Sequence, residues 1–146
     1  MFAKGLATYQ KELRCQDFAE AIDAWEGQLD VAWIGLSLHH LRTSEKRAFI
    51  RKIERLLPRD GLFLIWEPTC FESEDREVWV ERLSQNLKGL PLSDDEFAAY
   101  DSHQRASDFP ETAATWKGMA REAGFEQADE LFVAPDQFTG VYLFRR

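Results

Sequence analysis

The stretch LDVAWIGLSLHHLRTSEKRAFIRKIERLLPRDGLFLIWEP, residues 29–68, decides the fold. Its opening run, Leu29 to Leu38, is almost continuously apolar, with β-branched and aromatic members. That pattern predicts a strand buried on both faces, as in a parallel sheet. Thr43 and Ser44 are candidate caps for the next element, and Phe49, Ile50, Ile53, Leu56 and Leu57 then recur on one face of a helix. Pro58-Arg59-Asp60-Gly61 breaks that helix, and LFLIW (62–66) reads as a second buried strand. Strand, amphipathic helix and strand at this spacing predict a βαβ unit with a right-handed crossover.

Working outward, the downstream chain turns helical. Ser73, Glu74 and Asp75 open a helix carrying Trp79, Leu83 and Leu87, which Gly89-Leu90-Pro91 closes. Ser93 and Glu96 form a capping box for a shorter helix with Phe97 and Tyr100. A further helix is expected to begin near Asp108 and Pro110. It would bury Ala113, Trp116, Met119, Ala120 and Ala123 and end at Gly124. Residues 126–134 and 138–145 flank Pro135-Asp136-Gln137, which predicts an antiparallel hairpin. Upstream, a helical turn over 2–9, a short strand over 12–15 and a short helix after Asp17 are expected. Trp33, Trp66, Trp79 and Trp116 read as core, and Trp25 as exposed. No linker or repeat divides the chain, so residues 1–146 read as one domain.

Composition narrows the function classes. With 18 Lys+Arg against 26 Asp+Glu, the formal net charge is −8, which disfavours nucleic acid and anionic membranes as general partners. No apolar run approaches the ~20 residues of a membrane-spanning helix. Cys15 and Cys70 are far apart and form no C-x-x-C, the pattern of two reduced thiols in a cytoplasmic protein.

The fold-deciding stretch resembles the middle of class I S-adenosylmethionine-dependent methyltransferases. Those enzymes show a "fDvv…lhHl" strand, a helix ending in "LLkpGG", and a next strand ending in an acid. Here Asp30, His39-His40, Leu56-Leu57-Pro58, Gly61 and Glu67 stand in those places, with Asp60 where the family has its first turn glycine. MAREAGFEQADEL (119–131) is similar to the family's "aGF" helix-to-strand step. RCQDFAEAI (14–22) is similar to the end of its third strand.

The resemblance implies a truncated Rossmann-like α/β fold, a mixed sheet with a parallel βαβ core and a C-terminal antiparallel hairpin. It implies S-adenosylmethionine as cofactor and a small molecule as methyl acceptor. Asp17 (against adenine), Phe18, Gly35 and Ser37 are the cofactor contacts it points to. It does not extend to the family's glycine-rich first loop: the glycines at 5, 27, 35, 61, 89, 118, 124 and 140 form no G-x-G. Activity of these 146 residues alone is therefore doubtful on this reading, and an inactive binding or oligomerisation module is the alternative.

In open α/β sheets ligands sit beyond the carboxyl ends of the strands, which puts His39, His40, Glu67 and Cys70 on one rim. The protein has only to orient an acceptor; for a base that would take the acceptor's proton, His40 is the first candidate, with His39 and Glu67 beside it. A buried structural imidazole is the competing use of either histidine. No metal site is expected, because adjacent histidines on an extended chain point apart. Asp17 reads equally as a helix cap, and Asp30 as structural. Without the family's first strand, residues 29–38 would form an apolar edge. A homodimer or intimate oligomer through that edge is the expected remedy.

Overall fold

A computed structural model describes residues 12–146; the helical turn expected over 2–9 lies outside them. Helix α1 (Phe18–Asp23) leads into β1 (Val31–Gly35), a 3-10 turn at Leu38–His40, α2 (Thr43–Leu56) and β2 (Leu62–Cys70). Then follow α3 (Arg76–Leu87), α4 (Asp94–Ser107), β3 (Glu111–Thr112), α5 (Ala113–Ala123), β4 (Gln127–Val133) and β5 (Thr139–Arg145). The sheet runs β1-β2-β5-β4, with β3 added beside the end of β2. β1 and β2 are parallel, pairing Val31 with Leu62 through Gly35 with Trp66. β5 lies antiparallel to both β2 and β4. This is the expected mixed α/β sheet, a parallel βαβ core closed by an antiparallel hairpin.

Each boundary has a local cause. The residue before a proline is pushed out of the helical region, so α2 ends as Leu57 turns extended ahead of Pro58. A side chain at Gly61 would meet the Leu57 side chain at 2.9 Å, so only glycine lets the turn close here. α5 ends at Gly124, whose φ of 116° is a left-handed cap. The Ser93–Glu96 capping box opens α4 as expected. α2, by contrast, is capped from Arg42, whose backbone N–H donates to Glu45 Oε2 at 2.7 Å. The Thr43 hydroxyl, freed from capping, reaches Glu111 instead.

One face of the sheet is packed. Ala32, Phe63, Ile65, Tyr142 and Phe144 meet Phe49, Ile50 and Ile53 of α2 and Trp116, Met119 and Ala120 of α5 in a single core. Burying each large member contributes roughly 1.5–3 kcal/mol. α3 seals a second cluster of Trp79, Val80, Cys70 and Phe138.

The opposite face corrects the expectation of a strand buried on both sides. Among the described residues, Val31 and Trp33 are 54% and 55% exposed and Trp66 is 39% exposed. Trp33 and Trp66 are thus not core. Strand side chains alternate between faces, and α2 and α5 cover only the face that carries Ala32, Phe63 and Ile65. β1 pairs with β2 alone and is an edge of the described sheet. Residues 12–15 are exposed and carry no strand. Asp108, expected near a helix start, ends α4; α5 begins three residues past Pro110, capped by Thr112.

Candidate active site at the end of strands β1 and β2

The site is built on a strained turn. Leu36, the residue after β1, has φ 52°, a left-handed conformation that a leucine adopts at a cost of about 1–2 kcal/mol. Its N–H donates to the Trp66 carbonyl at 2.7 Å, which holds the reversal against β2. The reversal points three successive backbone N–H groups at one carboxylate. Ser37 and Leu38 each donate to Glu67 Oε1 at 2.9 Å, and His39 N–H donates to Oε2 at 3.2 Å. Concave runs of main-chain donors of this kind bind anions. Here the anion is supplied by the protein itself, since Glu67 is fully buried at the end of β2. These charge-assisted bonds offset the strain at Leu36.

Glu67 makes a fourth bond, to His39 Nδ1 at 2.8 Å. A carboxylate there accepts the Nδ1 proton, so the lone pair of His39 lies on Nε2. The imidazole is itself buried. Its rotation is fixed at one end by Glu67 and along its backbone by Phe109, whose N–H donates to the His39 carbonyl at 2.8 Å.

Segment 107–109, at the end of α4, forms the opposite wall. Asp108 Oδ1 lies 3.8 Å from His39 Nε2, 3.4 Å from His40 Nδ1 and 3.7 Å from His103 Nε2. His40 Nδ1 also lies 3.2 Å from the Ser107 carbonyl. Oδ1 is buried and has no hydrogen-bond partner. Arg76 reaches across from α3, donating to the carbonyl of Asp108 at 2.7 Å and stacking on the Phe109 ring. Arg42 covers the same ring at 3.7 Å.

Behind this wall, Lys46 of α2 is completely buried. Its ammonium donates to Glu111 Oε1 at 2.9 Å and to the Phe109 carbonyl. Burial pulls the ammonium below its ordinary pKa, and the Glu111 carboxylate opposes that pull.

The expected rim is therefore assembled in part. His39, His40 and Glu67 meet, with His39 rather than His40 held by the carboxylate. Cys70 does not join them. It belongs to the Trp79 and Phe138 cluster, where burial raises its thiol to about 11, and no thiolate is available. The premise that the two histidines point apart also fails. Residues 38–40 form a 3-10 turn rather than a strand, and the rings lie 4.0 Å apart.

The residues put forward as cofactor contacts are occupied otherwise. Asp17 Oδ1 caps α1, accepting from Ala19 N at 2.8 Å and Glu20 N at 3.0 Å. The Phe18 ring packs edge-on against Phe49. Ser37 gives its N–H to Glu67 and its hydroxyl hydrogen to the Gly35 carbonyl. Gly35 sits between the Trp33 and Trp66 rings. Among the described residues, Asp17, Phe18 and Ser37 thus make internal contacts, while His39 and Glu67 form a buried pair. Asp108 was missed because a single acid ahead of Phe109-Pro110 carries no spacing signal. His103 carries no spacing signal either, and its place beside His40 follows from how α4 packs.

A buried carboxylate thus orients a histidine at the carboxyl end of the parallel strand pair in a mixed α/β sheet. No protein-family model and no curated protein sequence matches the chain. Solved structures match in fold. The SAH-bound form of CalO1, a methyltransferase of calicheamicin biosynthesis, superposes with TM-score 0.61 and 14% identity over 98% of this chain and 36% of its own. An O-methyltransferase family protein from Burkholderia thailandensis gives TM-score 0.58 and 17% identity over 88% and 32%. A putative O-methyltransferase from Nostoc punctiforme gives 0.54 and 17% over 84% and 33%. The chain therefore has the fold of part of a class I methyltransferase and spans about a third of the length of these neighbours.

Proposed function

We propose that the chain carries the acceptor-activating part of a small-molecule O-methyltransferase, with His39 as base and Glu67 as the residue that positions it. The observation that carries this reading is the 2.8 Å bond from His39 Nδ1 to a fully buried Glu67. It leaves Nε2 as the free lone pair at the strand ends. An acceptor hydroxyl placed there would give its proton to Nε2 while the Nδ1 proton stays on the ring, hydrogen-bonded to Glu67.

S-adenosylmethionine is the methyl donor that suits the fold, and one solved neighbour is an SAH-bound form. When bound, it supplies an electrophilic methyl group and leaves only orientation and deprotonation to the protein. Asp17, Phe18 and Ser37 are engaged internally, so donor contacts from outside the described residues are part of the proposal. The same engagement supports the second reading, an inactive methyltransferase-like module.

Two measurements test these readings, and the second separates them. Calorimetry of the chain with S-adenosylhomocysteine is expected to show no micromolar binding, and such binding would overturn the claim that the donor site lies elsewhere. Transfer of a labelled methyl group to phenolic acceptors is then measured on the assembly purified from the chain's own cells. Under the base reading, His39→Ala lowers that transfer at least ~100-fold. A folded His39→Ala protein with unchanged transfer would remove His39 from the chemistry.

A further inference from the structure

We propose that His39, His40 and Asp108, with His103 beside them at the rim, form a binding site for a divalent transition-metal ion of the zinc class. The starting point is an electrostatic anomaly. His39 Nδ1–H donates to Glu67, so Nε2 presents a lone pair toward Asp108 Oδ1, itself a buried acceptor without a donor. Two acceptors face each other with nothing positive between them. Their 3.8 Å separation is too long for a shared proton, as are the 3.4 and 3.7 Å separations from His40 and His103.

Those distances suit a shared ion. Ligand atoms bound tetrahedrally at about 2.0–2.1 Å from zinc stand roughly 3.3–3.4 Å apart. Donor atoms of His39, His40 and Asp108 all lie within 4.8 Å of one another. Imidazole nitrogens with one carboxylate oxygen are the donor set that favours zinc, cobalt or nickel over calcium or magnesium. The carboxylate behind His39 is the outer support that metal-binding histidines regularly have. The ligand-bearing backbone is also held in advance, through Phe109 N–H to the His39 carbonyl and Arg76 to the Asp108 carbonyl. His40 Nδ1 would exchange its 3.2 Å approach to the Ser107 carbonyl for the ion.

The chain contains three histidines in all, and all three surround Asp108. Imidazole resonances therefore report on this place and no other. The inference rests on these distances and not on methyl transfer. A bound ion would occupy the same Nε2 lone pair that a base uses, so the two uses exclude each other.

The test is a titration of the full chain with zinc chloride in a non-coordinating buffer, followed by calorimetry and by the imidazole NMR signals, and repeated with cobalt(II) for its visible bands. One ion per chain is expected, with all three imidazoles shifting together and the bands of a tetrahedral cobalt site. Asp108→Asn, which keeps size and shape, should weaken binding at least ~10-fold. Glu67→Gln should weaken it by about 10- to 100-fold. His103→Ala, on the exposed face of α4, should weaken it without unfolding the chain. No saturable binding, or binding that Asp108→Asn and His103→Ala both leave unchanged, overturns the site. The methyl-transfer test reads transfer and not metal content, so failure of one reading is distinguishable from failure of the other.

Discussion

Glu67→Gln probes the whole site with one atom changed. In the native chain Glu67 accepts from three backbone N–H groups and from His39 Nδ1. Glutamine keeps one oxygen, which can serve Ser37 and Leu38. Its amide nitrogen then faces the His39 N–H as donor against donor. Losing two charge-assisted bonds and leaving a buried N–H unpaired corresponds to about 2–4 kcal/mol. For a chain of this length that lowers Tm by roughly 5–12 °C. The strain at Leu36 persists while the bonds that offset it weaken, so the loss should concentrate in residues 36–40.

The second consequence is a tautomer change. The amide donates to Nδ1, so the His39 proton moves to Nε2 and the outward lone pair disappears. Chemical denaturation gives the first quantity, and imidazole nitrogen chemical shifts give the second. A loss below ~0.5 kcal/mol together with an unchanged tautomer would refute the claim that Glu67 braces the turn and orients His39.

Four further outcomes are expected. Lys46→Met leaves the buried Glu111 carboxylate with only the Thr43 hydroxyl and should cost about 3–5 kcal/mol in urea melts. Adding Glu111→Gln should restore much of that loss. In the native state an aromatic disulfide reagent at mild pH should label the exposed Cys15 quickly and the buried Cys70 only after unfolding. Because burial raises Cys70 from 9.0 to about 11, its contribution to stability is complete below about 9. It is lost as pH rises from there through about 11, a fall that Cys70→Ala should remove from the pH profile. Finally, sedimentation at micromolar concentration should show association through the open edge or face at β1, and Trp33→Glu should shift the chain toward monomer. A stable native monomer would count against that partner surface.

The parts of the fold that were legible from residues are those with a strong period. The Phe49–Leu57 face, the strands inside the apolar runs at 29–38 and 62–66 and the hairpin turn at 135–137 formed where expected, although only 31–35 of the first run is strand. Burial of Trp33 and Trp66 was misjudged because an apolar run cannot say whether a second layer covers it. The site was half legible. His39, His40 and Glu67 follow from their places at strand ends, but choosing between the histidines needs the turn at Leu36. That reversal, a left-handed leucine, has no signature in composition. Asp108 and His103 enter only through the packing of α3 and α4.

The uncovered sheet face also gives the protein an optical readout. Trp79 and Trp116 are sealed in the two clusters, whereas Trp33 and Trp66, cross-strand neighbours around Gly35, meet water. Their indoles should emit toward the red in the free chain and respond to external quenchers. Any molecule that settles over β1 and β2 would shift that emission to the blue. These two indoles thus serve as a fluorescent sensor for anything that docks on that face.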